Sequence, residues 1–96
     1  MNIAVIGTGM VGKLIAVELS RDYQIYAIDN NSENLNLLKK HNPKIITVKI
    51  DILKEDFLED LNADLIVNCV PGFMGFQTSK KILREKTSQF HPLKPC

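Results

Sequence analysis

A short apolar run, Ile3-Ala4-Val5-Ile6, passes directly into Gly7-Thr8-Gly9-Met10-Val11-Gly12, and an acid, Asp29, closes the next apolar run. No other feature limits the fold as tightly. A strand that runs straight into G-x-G-x-x-G needs Gly7 for the tight turn, Gly9 for close approach of another group to the main chain, and Gly12 for close helix-to-sheet packing. The helix that begins there presents free N–H groups and the positive end of its dipole to whatever approaches.

Glycine-rich turns are common, so the motif alone is weak. Three further features agree with it. The stretch from Met10 to Leu19 carries Val11, Leu14, Ile15 and Leu19 at helical spacing, and a second run, Ile25-Tyr26-Ala27-Ile28, follows a short polar turn. Asp29 then stands 17 residues past Gly12 and 22 past Gly7, bracketing the offset of about 20 at which a carboxylate reaches a ribose hydroxyl. Together they indicate a dinucleotide site. Asp29 favours NAD over NADP, because its charge opposes a 2′-phosphate and no arginine follows it.

The chain continues to alternate. Asn30 to Ser32 supply turn and N-cap chemistry for a helix to about His41, with Leu35 and Leu38 inward and Asn42-Pro43 stopping it. A third strand, Ile45 to Ile50, has Ile46, Val48 and Ile50 on one face and Thr47 and Lys49 on the other with Ile45, a pattern suited to the sheet edge. A helix is expected near Lys54 to Leu61, with Phe57, Leu58 and Leu61 inward. The fourth strand, Leu65 to Val70, is apolar on both faces, as buried parallel strands are. The expected fold class is α/β, a Rossmann-like parallel sheet of order 3-2-1-4 that is an incomplete doubly wound fold. Ligand then lies in the crevice between strands one and four, and Val70-Pro71-Gly72-Phe73-Met74-Gly75 emerges beside it, ahead of a helix from about Gly75 to Glu85.

Composition excludes several functions. In the 96 residues, 12 Lys and Arg balance 11 Asp and Glu, so there is no basic field for nucleic acid or a membrane surface. No apolar run approaches membrane-spanning length and no signal peptide precedes strand one, which makes the cytoplasm the expected location. Cys69 reads as a small core residue and Cys96 as a tail thiol. Neither forms a metal-ligand spacing with His41 or His91, so no metal is expected. No acid–base pair for catalysis can be read from spacing.

Beyond the glycine motif, Tyr26-Ala27-Ile28-Asp29 with Glu33-Asn34-Leu35, Val48-Lys49-Ile50-Asp51, and above all Asp64 to Phe76 with its Val-Pro-Gly-Phe-Met-Gly-Phe segment, resemble the N-terminal domain of the saccharopine dehydrogenase family, in particular its lysine-dehydrogenase-like members. The resemblance covers about residues 1–86. It implies an NAD(P)-dependent oxidoreductase acting on the C–N bond of an amino acid such as lysine or saccharopine. Carried over by position, it gives the pyrophosphate to Gly7, Thr8, Gly9, Met10, Val11 and Gly12, and the adenosine ribose to Asp29 with Asn30 beside it. It gives the adenine to Asp51 and Ile52, and the nicotinamide side to Cys69, Val70 and Pro71.

Residues 1–86 thus read as a partial dinucleotide-binding domain and 87–96 as an atypical tail. The family continues into a fifth strand and a separate substrate domain, whereas Thr87 to Cys96 shows no alternation and carries two prolines, which argue against a sheet position. The expectation is a truncated or frame-shifted end, with strand four left as an open edge that invites association with itself or a second chain and makes the chain poorly soluble. The rival reading is a non-catalytic NAD-sensing regulatory domain of a potassium transport system, which shares the glycine turn and the strand-two acid. The apolar Pro71-Gly72-Phe73 loop favours the dehydrogenase. A remnant without function is the third possibility.

Overall fold

A computed structural model of the chain describes residues 1–51, 62–70, 72–86 and 93–95. The elements are β1 (Asn2–Ile6), α1 (Met10–Leu19), β2 (Gln24–Asp29), α2 (Ser32–His41), β3 (Ile46–Lys49), β4 (Leu65–Asn68), α3 (Gly72–Lys86) and β5 (Leu93–Pro95). The expected helix near Lys54 to Leu61 lies outside the described residues. The strands form one sheet of order β3-β2-β1-β4-β5, every pair parallel.

Alternation along β1 shows why both faces of this sheet are covered. Ile3 and Val5 belong to a buried cluster with Ala16 of α1 and Leu35 and Leu38 of α2, while Ala4 and Ile6 belong to a second with Ile66 and with Ile82 of α3. Residues two apart on a strand share a face, so α1 and α2 cover one side and α3 the other. The crossover direction reverses between β1 and β4, which opens a crevice at their C-terminal ends. Backbone bonds extend the ladders to that edge: Gly7 N–H donates to the Ile28 carbonyl at 2.8 Å and Cys69 N–H to the Ile6 carbonyl at 2.7 Å. At the opposite edge Asn2 N–H donates to Asp64 Oδ2 at 2.8 Å, fixing the entry to β4 beside β1.

Helix α1 begins and ends where its periodicity places it, but its inner face differs from the expected one. Gly12 and Ala16 are buried, Ile15 and Leu19 pack partly against the core, and Val11 and Leu14 are 56% and 66% exposed. Two small residues four apart let the helix axis approach the sheet, and that approach rotates Val11 and Leu14 outward. Helix α2 follows its sequence signals more closely. Asn31 is its N-cap, accepting from Asn34 N–H at 3.1 Å, and extended Asn42 ends it.

The structure departs from the sequence expectation at β3, at the start of α3 and in the tail. Ile45, just before β3, is buried and Ile46 is 40% exposed, so the face that Ile46 shares with Val48 is only partly covered. Helix α3 begins at Gly72, earlier than Gly75, because Gly72 has φ of 65°, a conformation that favours glycine and turns the chain from β4 into the helix. The tail does reach the sheet: Leu93, Lys94 and Pro95 pair with Ile66, Val67 and Asn68. The far edge of β4 is therefore occupied and the open-edge premise fails. Proline, lacking an N–H, is tolerated in such a short outer strand.

Candidate functional site

The C-terminal edge of the sheet opens into a cleft of about 390 Å³. Its floor is the turn between β1 and α1. Gly7 has φ of 89°, and a Cβ there would stand 2.9 Å from Val70 N, so both conformation and space require glycine. A Cβ on Gly12 would overlap the Gly7 carbonyl oxygen and lie 3.2 Å from Cys69 Cβ; this glycine is needed for packing.

Gly9 differs from both. Its φ of −68° suits any residue, and nothing lies within 4 Å of the place a Cβ would take. The fold does not demand glycine there. The space a side chain would fill is the cleft itself, beside the first turn of α1. That turn has no side-chain cap, and its first intrahelical bond runs from Lys13 N–H to the Gly9 carbonyl at 2.9 Å. The N–H groups of Met10, Val11 and Gly12 precede it and lack a helical acceptor. Three donors at the positive end of a helix, with an open approach over a glycine, fit an anionic diphosphate.

Asp29 ends β2 on the neighbouring wall. Its Oδ2 accepts from Thr8 N–H at 2.8 Å and from the Thr8 hydroxyl at 2.6 Å, and its Oδ1 accepts from Asn31 N–H at 3.1 Å. Thr8 is fully buried. Its polar groups thus face the acid, although the resemblance gives Thr8 to the pyrophosphate. Beyond Asp29 the wall continues through Asn30, Asn34, Ile50 and Asp51. The Ile50 N–H donates to the Asp29 carbonyl at 2.9 Å, which holds the end of β3 beside that of β2.

At the other end of the cleft stand Cys69 and Val70, and Cys69 is disulfide-bonded, where a reduced core residue was expected. Asn68, buried at the end of β4, fixes this exit. Its Nδ2 donates to the Gly75 carbonyl at 2.9 Å and to Ser79 Oγ at 2.7 Å, and its Oδ1 accepts from Val70 N–H at 3.1 Å. A Cβ on Gly75 would overlap the Val70 carbonyl oxygen, so α3 crosses this strand end in close contact.

Of the residues expected at the site, Gly7 to Gly12, Asp29, Asn30, Asp51, Cys69 and Val70 line this one cleft; Ile52 and Pro71 lie outside the described residues. Sequence reading missed Ile6, Ile28, Asn34 and Ile50, which line it too. Ile6 and Ile28 directly precede the glycine turn and the acid and could have been included on that ground. Asn34 comes to the cleft through the first turn of α2, which no spacing rule indicates. Among the described residues no group of three His, Cys, Asp or Glu could hold a metal ion, and no helix is long and apolar enough to cross a membrane.

Comparison with known proteins gives the same architecture. Residues 3–70 match the TrkA-N domain family. No curated protein matches the chain. Among solved structures, apo saccharopine dehydrogenase (L-Glu forming) from Saccharomyces cerevisiae superposes with a TM-score of 0.79 at 14% identity, over 98% of this chain and 21% of that one. Serine dehydrogenase from Escherichia coli superposes with a TM-score of 0.71 at 17% identity, over 99% of this chain and 61% of that one. The chain thus spans less than two thirds of either protein, and at such identities the likeness is one of fold.

Proposed function

The chain belongs to the TrkA-N domain family, an NAD(P)-binding domain of Rossmann type, and from that premise we propose that it holds NAD in preference to NADP as the cofactor domain of an amino-acid dehydrogenase of the saccharopine or lysine dehydrogenase type. The observation that carries the nucleotide reading is Gly9, a glycine the fold does not require, facing a cleft that Asp29 also lines. The N–H groups of the α1 first turn bind the pyrophosphate, and the Asp29 carboxylate accepts a hydrogen bond from the adenosine ribose. Asn30, Asn34, Ile50 and Asp51 surround the adenine. Val70, with Cys69 beside it, offers the nicotinamide ring an apolar wall.

Asp29 gives the NAD preference. A carboxylate at the ribose repels a 2′-phosphate, and Asn30, Asn31 and Ser32 follow it without a cation. The bound cofactor would supply hydride chemistry; the role of this chain is to bind and orient it. The Asp64 to Phe76 segment supports the dehydrogenase assignment. A second reading, a nucleotide-sensing regulatory domain of a potassium transport system, draws support from the family match over residues 3–70.

Calorimetric titration with NADH and NADPH tests the nucleotide reading. NADH should bind more tightly, and Asp29→Ala should weaken it by about 1.5–3 kcal/mol, the range for a hydrogen bond to a charged group. Equal or tighter NADPH binding, or an Asp29→Ala variant with unchanged NADH affinity, would refute it. Formation of NADH from NAD with lysine or saccharopine, assayed in the polypeptide that carries this domain, separates the dehydrogenase from the sensor.

A further inference from the structure

Asp29 accepts three hydrogen bonds from the protein itself. An ionised carboxylate has about four acceptor positions. Thr8 occupies two of them on Oδ2, and Asn31 N–H one on Oδ1. The Thr8 hydroxyl is fully buried, and toward a carboxylate it can only donate. Thr8 and Asp29 are 21 residues apart in sequence, Thr8 in the turn that follows β1 and Asp29 at the end of the adjacent β2, so this pair joins the glycine turn to the acid.

We infer that Thr8 is a positioning residue for Asp29: by holding Oδ2 through both its N–H and its hydroxyl, it leaves the carboxylate one acceptor position, on Oδ1, and commits it to a single ribose hydroxyl. This role rests on the proposed nucleotide reading and deepens it. A carboxylate that could rotate would grip a ribose less well and would also swing away from a 2′-phosphate. Held at Oδ2 it can do neither. Thr8 therefore sets NADH affinity and the discrimination against NADPH together, although its own side chain is buried.

The test is titration of wild type, Thr8→Val and Thr8→Ser with NADH and NADPH. Valine keeps the shape and removes the hydroxyl; serine restores the hydroxyl without the methyl. Thr8→Val should weaken NADH by about tenfold, as loss of a bond to a charged group does, while leaving NADPH unchanged or tighter, so that the preference narrows. Thr8→Ser should return both to within about twofold of wild type. An unchanged NADH affinity in Thr8→Val, or equal weakening of both nucleotides, would overturn the positioning role. Wild type that binds neither nucleotide would overturn the nucleotide reading, and this role with it. If circular dichroism shows Thr8→Val unfolded, wild type titrated with 2′-deoxy-NAD and 3′-deoxy-NAD decides the matter. One analogue should lose about tenfold and the other little, and equal losses would show a carboxylate with both oxygens available.

Discussion

The two ends of the cleft use their polar groups in opposite ways. At the β1–α1 end, Met10, Val11 and Gly12 have N–H groups without helical acceptors, and Asp29 keeps an acceptor position on Oδ1. At the β4 exit, the Asn68 amide uses both its N–H groups on Gly75 and Ser79, and its oxygen accepts from Val70. The first end is built for a polar ligand to complete, and the second is completed by the protein. A dinucleotide seated here would draw most of its affinity from the adenosine and pyrophosphate half, with the β4 exit supplying shape and an apolar surface.

The glycines give the widest contrast and the largest expected effects. Gly12→Val places a side chain into the Gly7 carbonyl and should destabilise the fold by on the order of 3 kcal/mol or more, a large share of a small domain's stability. Urea denaturation followed by circular dichroism measures this. Gly9→Val meets no neighbour within 4 Å and should keep the helical signal while abolishing NADH binding. A folded Gly9→Val variant that still binds NADH would remove the pyrophosphate from this turn.

The β4 exit should behave in the reverse manner. Asn68→Ala leaves one buried and two part-buried partners without their hydrogen bonds and should cost about 2–4 kcal/mol of stability. Its affinity for adenosine diphosphate ribose, measured below the unfolding transition, should stay within about twofold of wild type. A large loss of affinity in the folded variant would mean that the two ends are not independent.

What could be read from the sequence follows the same division. The β1–α1–β2 unit was legible because its form depends on local spacing: glycines at fixed steps and an acid at the end of the next strand. The order of the first four strands follows from the strand–helix alternation that continues beyond that unit. The Thr8–Asp29 pair was not legible, since Thr8 resembles any other residue in a glycine turn until two strand ends lie side by side. Asn68 was hidden in an apolar run, where only the approach of α3 gives its amide partners. Val11 and Leu14 fit helical spacing, but the small Gly12 and Ala16 set the packing face. The tail strand is not legible because three residues ending in proline lack strand periodicity; they pair with the parallel edge that β4 offers.

Titration of the chain with NADH, adenosine diphosphate ribose and nicotinamide mononucleotide tests most directly where the cleft holds its ligand. Adenosine diphosphate ribose should bind within about tenfold of NADH, equivalent to about 1.4 kcal/mol, and nicotinamide mononucleotide should show no measurable binding. Tight binding of nicotinamide mononucleotide with none of adenosine diphosphate ribose would contradict the assignment of the glycine turn and Asp29 to the adenosine half of the ligand.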